Sequence, residues 1–164
     1  MFICYAQKPL PTDKGGIFLA GPTPRGGRVP SWRPEALKFL KEAGYTGNVF
    51  VPEDEHGPLK DHYNEQIEWE WACLEAASVV VFWVPRNLET MPAFTTNVEF
   101  GLYVDSGKAV LGYPEGAPKM RYLHALAEKF DVPVFHDLQK TLHTAVEKTK
   151  TQSGAGKFVL SAVK

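Results

Sequence analysis

The stretch TTNVEFG, Thr95 to Gly101, carries one carboxylate, Glu99, a short way past an apolar run. Two readings fit it. Thr96, Asn97, Val98 and Glu99 match a capping box: the threonine hydroxyl accepts from the N–H of the fourth residue, and the glutamate reaches back to the threonine N–H. The same spacing puts an acid in a first helical turn beyond a strand's carboxyl end. There the positive helix terminus favours the ionised form, which is what a nucleophile requires. Upstream, EQIEWEWACLEAASVVVFW sets Glu68 and Glu70 among Trp69 and Trp71. Either acid fits a solvent-facing position. A carboxyl among large aromatics is partly desolvated, however, and keeps its proton toward neutral pH, which suits it to donate to a base or a leaving group. One ionised and one protonated carboxyl form the pair that cleaves glycosidic bonds: the first attacks the anomeric carbon and the second manages the leaving group's proton.

A third stretch, GPTPRGGRVPSWR, spans Gly21 to Arg33. Gly21, Gly26 and Gly27 permit close backbone approach beside Pro22, while Arg25, Arg28 and Arg33 supply paired donors, a combination that holds a phosphate or a carboxylate. An ordinary solvated loop fits the same residues. The stretch is neither GxGxxG nor a Walker loop, so dinucleotide binding and NTP hydrolysis have little support. Trp32 is the best candidate to stack on a base, because loops past strand ends reach a ligand. Trp69 and Trp83 read as core, with Trp83 ending a strand, and Cys73 reads as a small buried hydrophobe. His56 and His62 flank a proline loop without ligand spacing, so no metal is expected, and the carboxylate chemistry requires no cofactor.

These groups need elements to hold them. GIFLAGP is an apolar run stopped by Gly and Pro, the mark of a buried strand entering a loop. Pro34 to Ala43 has helical spacing and a Gly44 stop, Asn48 to Pro52 a strand, and Asp61 to Ala77 an amphipathic helix with Ile67, Trp71 and Leu74 on its apolar face. Ser78 to Pro85 is the clearest strand. A helix over Thr96 to Ser106, a strand in KAVLGY, a helix over Lys119 to Phe130, a strand in VPVFHD and a helix over Leu138 to Lys148 follow. Alternating short strands and helices predict an α/β three-layer sandwich, flavodoxin-like or Rossmann-like, with a parallel sheet of about five strands. Ligands in such sheets bind beyond the carboxyl ends of the strands, which singles out the loops 21–33, 52–61, 85–95 and 113–118.

The 164 residues fit one domain, with its core over about 16–148. The tail, 149–164, has a Ser-Gly-Ala-Gly hinge before Phe158, Val159 and Leu160, and is expected to dock on the body or on a neighbouring subunit, so a homo-oligomer is anticipated. A formal net charge of −1 gives no bulk field for nucleic-acid polymers or anionic membranes, so any anion site must be local. Cys4 and Cys73 form no CxxC pair, there is no run of about 18 apolar residues, and the start lacks a basic segment followed by a long apolar one. A cytoplasmic protein is expected.

GIFLAGPTPR, EWEWACLEAASVVVFW and TTNVEFG, in that order, resemble the nucleoside 2-deoxyribosyltransferase-like family over roughly Gly16 to Lys148. The resemblance implies that Glu99, in the short Glu-Phe-Gly motif, takes the deoxyribosyl group as a covalent ester. It implies that Glu70, or failing it Glu68, orients or protonates the base. The best-known transferases carry an aspartate ahead of the nucleophile where this chain has Ala93, which leaves sugar recognition to Asn97 or a main-chain group. A related branch, the nucleotide 5′-monophosphate N-glycosidases, has an Arg-Gly-Gly-Arg phosphate segment, and Arg25 to Arg28 resembles it. Transfer of the sugar to another base, hydrolysis of a 5′-monophosphate, and non-catalytic nucleotide binding are therefore the alternatives.

Overall fold

A computed structural model of the chain describes residues 1–25, 29–55 and 63–155. The elements, in order, are β1 (Phe2–Tyr5), β2 (Ile17–Ala20), α1 (Arg33–Glu42), β3 (Asn48–Val51), α2 (Tyr63–Ala76), β4 (Val79–Trp83), α3 (Phe94–Tyr103), β5 (Ala109–Gly112), α4 (Arg121–Lys129), β6 (Val134–Phe135) and α5 (Leu138–Ala155). The strands form one parallel sheet of order β1-β3-β2-β4-β5-β6. The sheet has six strands against the five or so expected: β1, the partly exposed FICY run ahead of the first strand read from sequence, joins β3 at an edge.

Alternate residues of each central strand serve opposite layers, as strand geometry requires. Phe18, Ala20, Val80 and Phe82 pack with Cys73 and Leu74 of α2, Phe100 of α3 and Leu123 of α4. Ile17, Leu19, Val79 and Val81 pack with Ala36 and Leu40 of α1 and Leu142 of α5 on the other face. The strands are apolar on both sides because both sides are covered.

Three local expectations change. On α2 the buried positions are Gln66, Trp69, Cys73 and Leu74, while Trp71 is 61% exposed, so the apolar face is rotated from the one drawn through Ile67, Trp71 and Leu74. Helix α3 begins at Phe94, two residues before Thr96, because Ala93 takes a left-handed conformation and starts it. Helix α5 runs on through Ala155 instead of stopping at Lys148. The rest of the tail, 156–164, lies outside the described residues, as do Gly26, Gly27, Arg28, His56 and His62.

Candidate active site

Strands β2 and β4 are neighbours, paired from Ile17 with Val79 to Ala20 with Phe82, yet the chain leaves them in opposite directions. From β2 it goes through α1 to β3, and from β4 through α3 to β5. The loops part there and open a crevice at the carboxyl ends, the position where open parallel sheets bind ligands. A cleft of about 700 Å³ occupies it, lined by residues that follow β1, β2, β3 and β4 in the chain. Glu70 of α2 and Glu99 of α3 both line it.

The β2 loop approaches β4 closely. A side chain on Gly21, which has φ of 154°, would bring its Cβ to 2.2 Å from the Trp83 carbonyl and 2.9 Å from Trp32, so only glycine fits. Trp32, 7% exposed, donates its indole N–H to the Pro22 carbonyl at 3.3 Å and supports the loop from behind. It packs with the α1 and α5 layer instead of lining the cleft, which removes it as a stacking platform in this arrangement.

Arg33, at the start of α1, is 1% exposed and organises the whole edge. Its guanidinium donates to the Leu19 carbonyl at 3.1 Å, the Gly21 carbonyl at 2.7 Å, the Thr23 hydroxyl at 3.1 Å and the Glu53 carboxylate at 2.5 Å. Ser31 donates to the same carboxylate at 2.8 Å. Burial pulls the guanidinium down from its ordinary value and Glu53 pushes it back, and an arginine so held remains a cation. Arg33, one of the three loop arginines read from sequence as paired donors, clamps the β2 loop to the end of β3 and also lines the cleft. The signal for the clamp was faint: an arginine just ahead of Pro34 and an acid just past the neighbouring strand. Arg25 is the loop arginine that reaches the cleft exposed, with its backbone N–H donating to the Thr90 carbonyl at 3.0 Å.

The α3 entry differs from a capping box. Ala93 has φ 60° and ψ 40° and caps without a side-chain bond, its carbonyl accepting from Asn97 N–H at 3.1 Å. A non-glycine residue in that conformation costs about 1 kcal/mol or more, and such strain collects at functional sites. Thr96 is then inside the first turn, buried and on the cleft, and Glu99 stands in the second turn, not the first. The helix terminus therefore does not set its ionisation. Burial raises the Glu99 carboxyl first, the nearby Glu70 raises it further and Arg33 partly offsets both, leaving it pushed up to about 7. Glu70 is raised by burial as well, opposed by a hydrogen bond from Gln66 and by Arg33. Gln66 Nε2 donates to Glu70 Oε1 at 2.8 Å. The other sequence candidates sit elsewhere: Glu68 is exposed on α2, and Asn97 Oδ1 accepts from Arg86, neither side chain lining the cleft.

Two acids thus share one sheltered crevice with a buried cation behind them. A family model described as nucleoside 2-deoxyribosyltransferase like matches residues 14–117, which includes the β2 loop, both acids and the α3 entry. The chain belongs to the nucleoside 2-deoxyribosyltransferase-like family. Comparison with curated proteins returned no match. Membership in the deoxyribosyltransferase-like family implies a small molecule of nucleoside type as substrate, and the crevice between β2 and β4 is of a volume that suits one. Among the described residues there is no group of three His, Cys, Asp or Glu side chains arranged to hold a metal ion, and no helix long and apolar enough to cross a membrane.

Proposed function

We propose that the protein cleaves the N-glycosidic bond of a deoxynucleoside or nucleotide and passes the sugar to another base. The observation that carries this reading is the meeting of Glu70 and Glu99, from successive helices, in one cleft at the sheet's switch point. Ionised Glu99 attacks the anomeric carbon. The bond from that carbon to the base nitrogen breaks as the bond to the Glu99 oxygen forms, and the Glu70 carboxyl gives its proton to the departing base. An acceptor base then attacks the same carbon, surrenders a proton to Glu70 and releases Glu99. Near neutrality the pair needs only one proton between them, and it must sit on Glu70 when the substrate reacts. Burial raises both carboxyls, which favours keeping that one proton within the pair. Thr96 and main-chain groups around Ala93 meet the sugar in place of a family aspartate, a role supported by their place on the cleft.

Arg25 on the cleft favours a second reading, in which the substrate is a 5′-monophosphate and water is the acceptor. One assay separates these. The protein is incubated with nucleosides and their 5′-monophosphates, with and without a free acceptor base, and free and exchanged bases are followed. Base exchange supports transfer, release of base from monophosphates alone supports hydrolysis, and binding without release of base overturns both.

A further inference from the structure

One buried polar atom beside the two acids is left over by this chemistry. Gln66 is 6% exposed and lines the cleft one helical turn before Glu70, and its Oε1 is sheltered from solvent with no hydrogen-bond partner among the described residues. Its Nε2 is committed to Glu70 at 2.8 Å, which fixes the plane of the amide and so the direction of the carbonyl. A buried acceptor left unmatched is costly, and a ligand donor that completes it gains more than the same contact would in water.

We propose that Gln66 is a specificity-determining residue that selects a leaving base bearing an amino group beside the ring nitrogen that takes the proton. The inference rests on the glycosidic reading above and names its substrate class. Glu70, protonated, donates to the ring nitrogen; Gln66 Oε1 accepts from the neighbouring amino N–H. A 6-aminopurine presents that pattern through its N7 and amino group, and a 4-aminopyrimidine through its N3 and amino group. The oxo counterparts set a carbonyl oxygen against Oε1. Turning the Gln66 amide over does not rescue them, because Oε1 would then face the Glu70 carboxyl and either repel it or consume the proton the leaving base needs. A site built around such a pair rejects the mismatched analogue far more strongly than an apolar pocket rejects one methylene.

The test compares kcat/KM for adenine, hypoxanthine and unsubstituted purine deoxynucleosides, and for the cytosine and uracil pair, each also as the 5′-monophosphate. The wild-type protein is expected to favour the amino base by about tenfold or more over both alternatives. Gln66→Met, close in volume and lacking the carbonyl, is expected to bring that ratio near one, and Gln66→Glu to retain an acceptor and part of the preference. The wild-type ratios stand by themselves if a variant fails to fold. Equal rates on amino and oxo bases, or a preference that survives in Gln66→Met, overturn this inference alone. A protein that neither binds nor cleaves any member of the panel overturns the glycosidic reading and this inference with it.

Discussion

Glu70 and Glu99 stand on successive helices, α2 and α3, and line the same cleft, where the charge of Glu70 helps hold the Glu99 carboxyl up at about 7. Two carboxyls arranged in this way resist losing both protons, so the pair titrates as a unit. Their coupling, set against the Arg33 guanidinium, determines the behaviour of the site with pH and with substitution.

Replacing Glu99, the proposed nucleophile, is the first check. Glu99→Gln is expected to reduce turnover by roughly a thousandfold or more while the far-ultraviolet circular dichroism stays native, because no capping bond is lost with it. Near-normal rates from the folded variant would return Glu99 to an ordinary helix position.

Stability should depend on pH through the same residue. A carboxyl raised on folding binds more protons in the native state than in the unfolded one between its ordinary range and about 7. Since the slope of unfolding free energy with pH follows the difference in bound protons, unfolded minus native, stability falls as pH rises through that window. Glu99→Gln removes the titration, so its advantage over wild type should grow from pH 4 to pH 8, by on the order of 1–3 kcal/mol, in urea melts at a series of pH values. A constant difference across that range would contradict a raised Glu99.

Activity should fall through the same window. The pair must hold one proton to react, so kcat/KM is expected to fall as pH rises through about 7 and that last proton leaves. In Glu70→Gln the nucleophile titrates alone without the neighbouring negative charge, so the residual activity should instead rise with pH, at a lower pH than about 7. The same variant should lose most activity on ordinary bases but much less on nucleosides whose bases leave without protonation. An unmoved pH profile in Glu70→Gln would mean that the two acids do not interact.

Arg33 should matter for both folding and titration. Arg33→Met strands the Glu53 carboxylate and frees the Gly21 and Leu19 carbonyls, a loss expected to cost about 3–5 kcal/mol in denaturant unfolding. Adding Glu53→Gln should recover part of that stability. It should not return the activity limb, which is expected to lie above its wild-type pH because the cation facing both acids is missing.

Phosphate recognition can be probed on the loop arginines. Alanine at Arg25 and Arg28 together should weaken binding of a 5′-monophosphate by roughly ten- to a hundredfold and leave the free nucleoside little changed, since charge-assisted bonds to phosphate are the strong ones. Calorimetric titration of the two ligands reads the difference directly. Equal losses would assign the arginines to loop structure.

Much of this molecule was legible in its residues. Short apolar runs such as GIFLA and SVVVFW, each stopped by turn formers and separated by helical periodicity, admit little besides a covered parallel sheet, and that sheet by its own topology puts chemistry at its carboxyl edge. Glu99 could be singled out because it lies a short way past a strand's carboxyl end, and Glu70, together with Glu68, because it sits among tryptophans. Their protonation could not, because a carboxyl's pKa answers to burial and to charges across space, and here burial and Glu70 outweigh the opposing Arg33 charge and the helix terminus that local sequence suggested. For the same reason Arg33, read as a loop donor, became a buried clamp, Trp32 turned under the loop, and the face of α2 rotated to bring Gln66 inward while Trp71 went to the surface. Periodicity assigns a residue to an element; which of its faces is buried, and whose charge it meets there, is decided only when the layers pack.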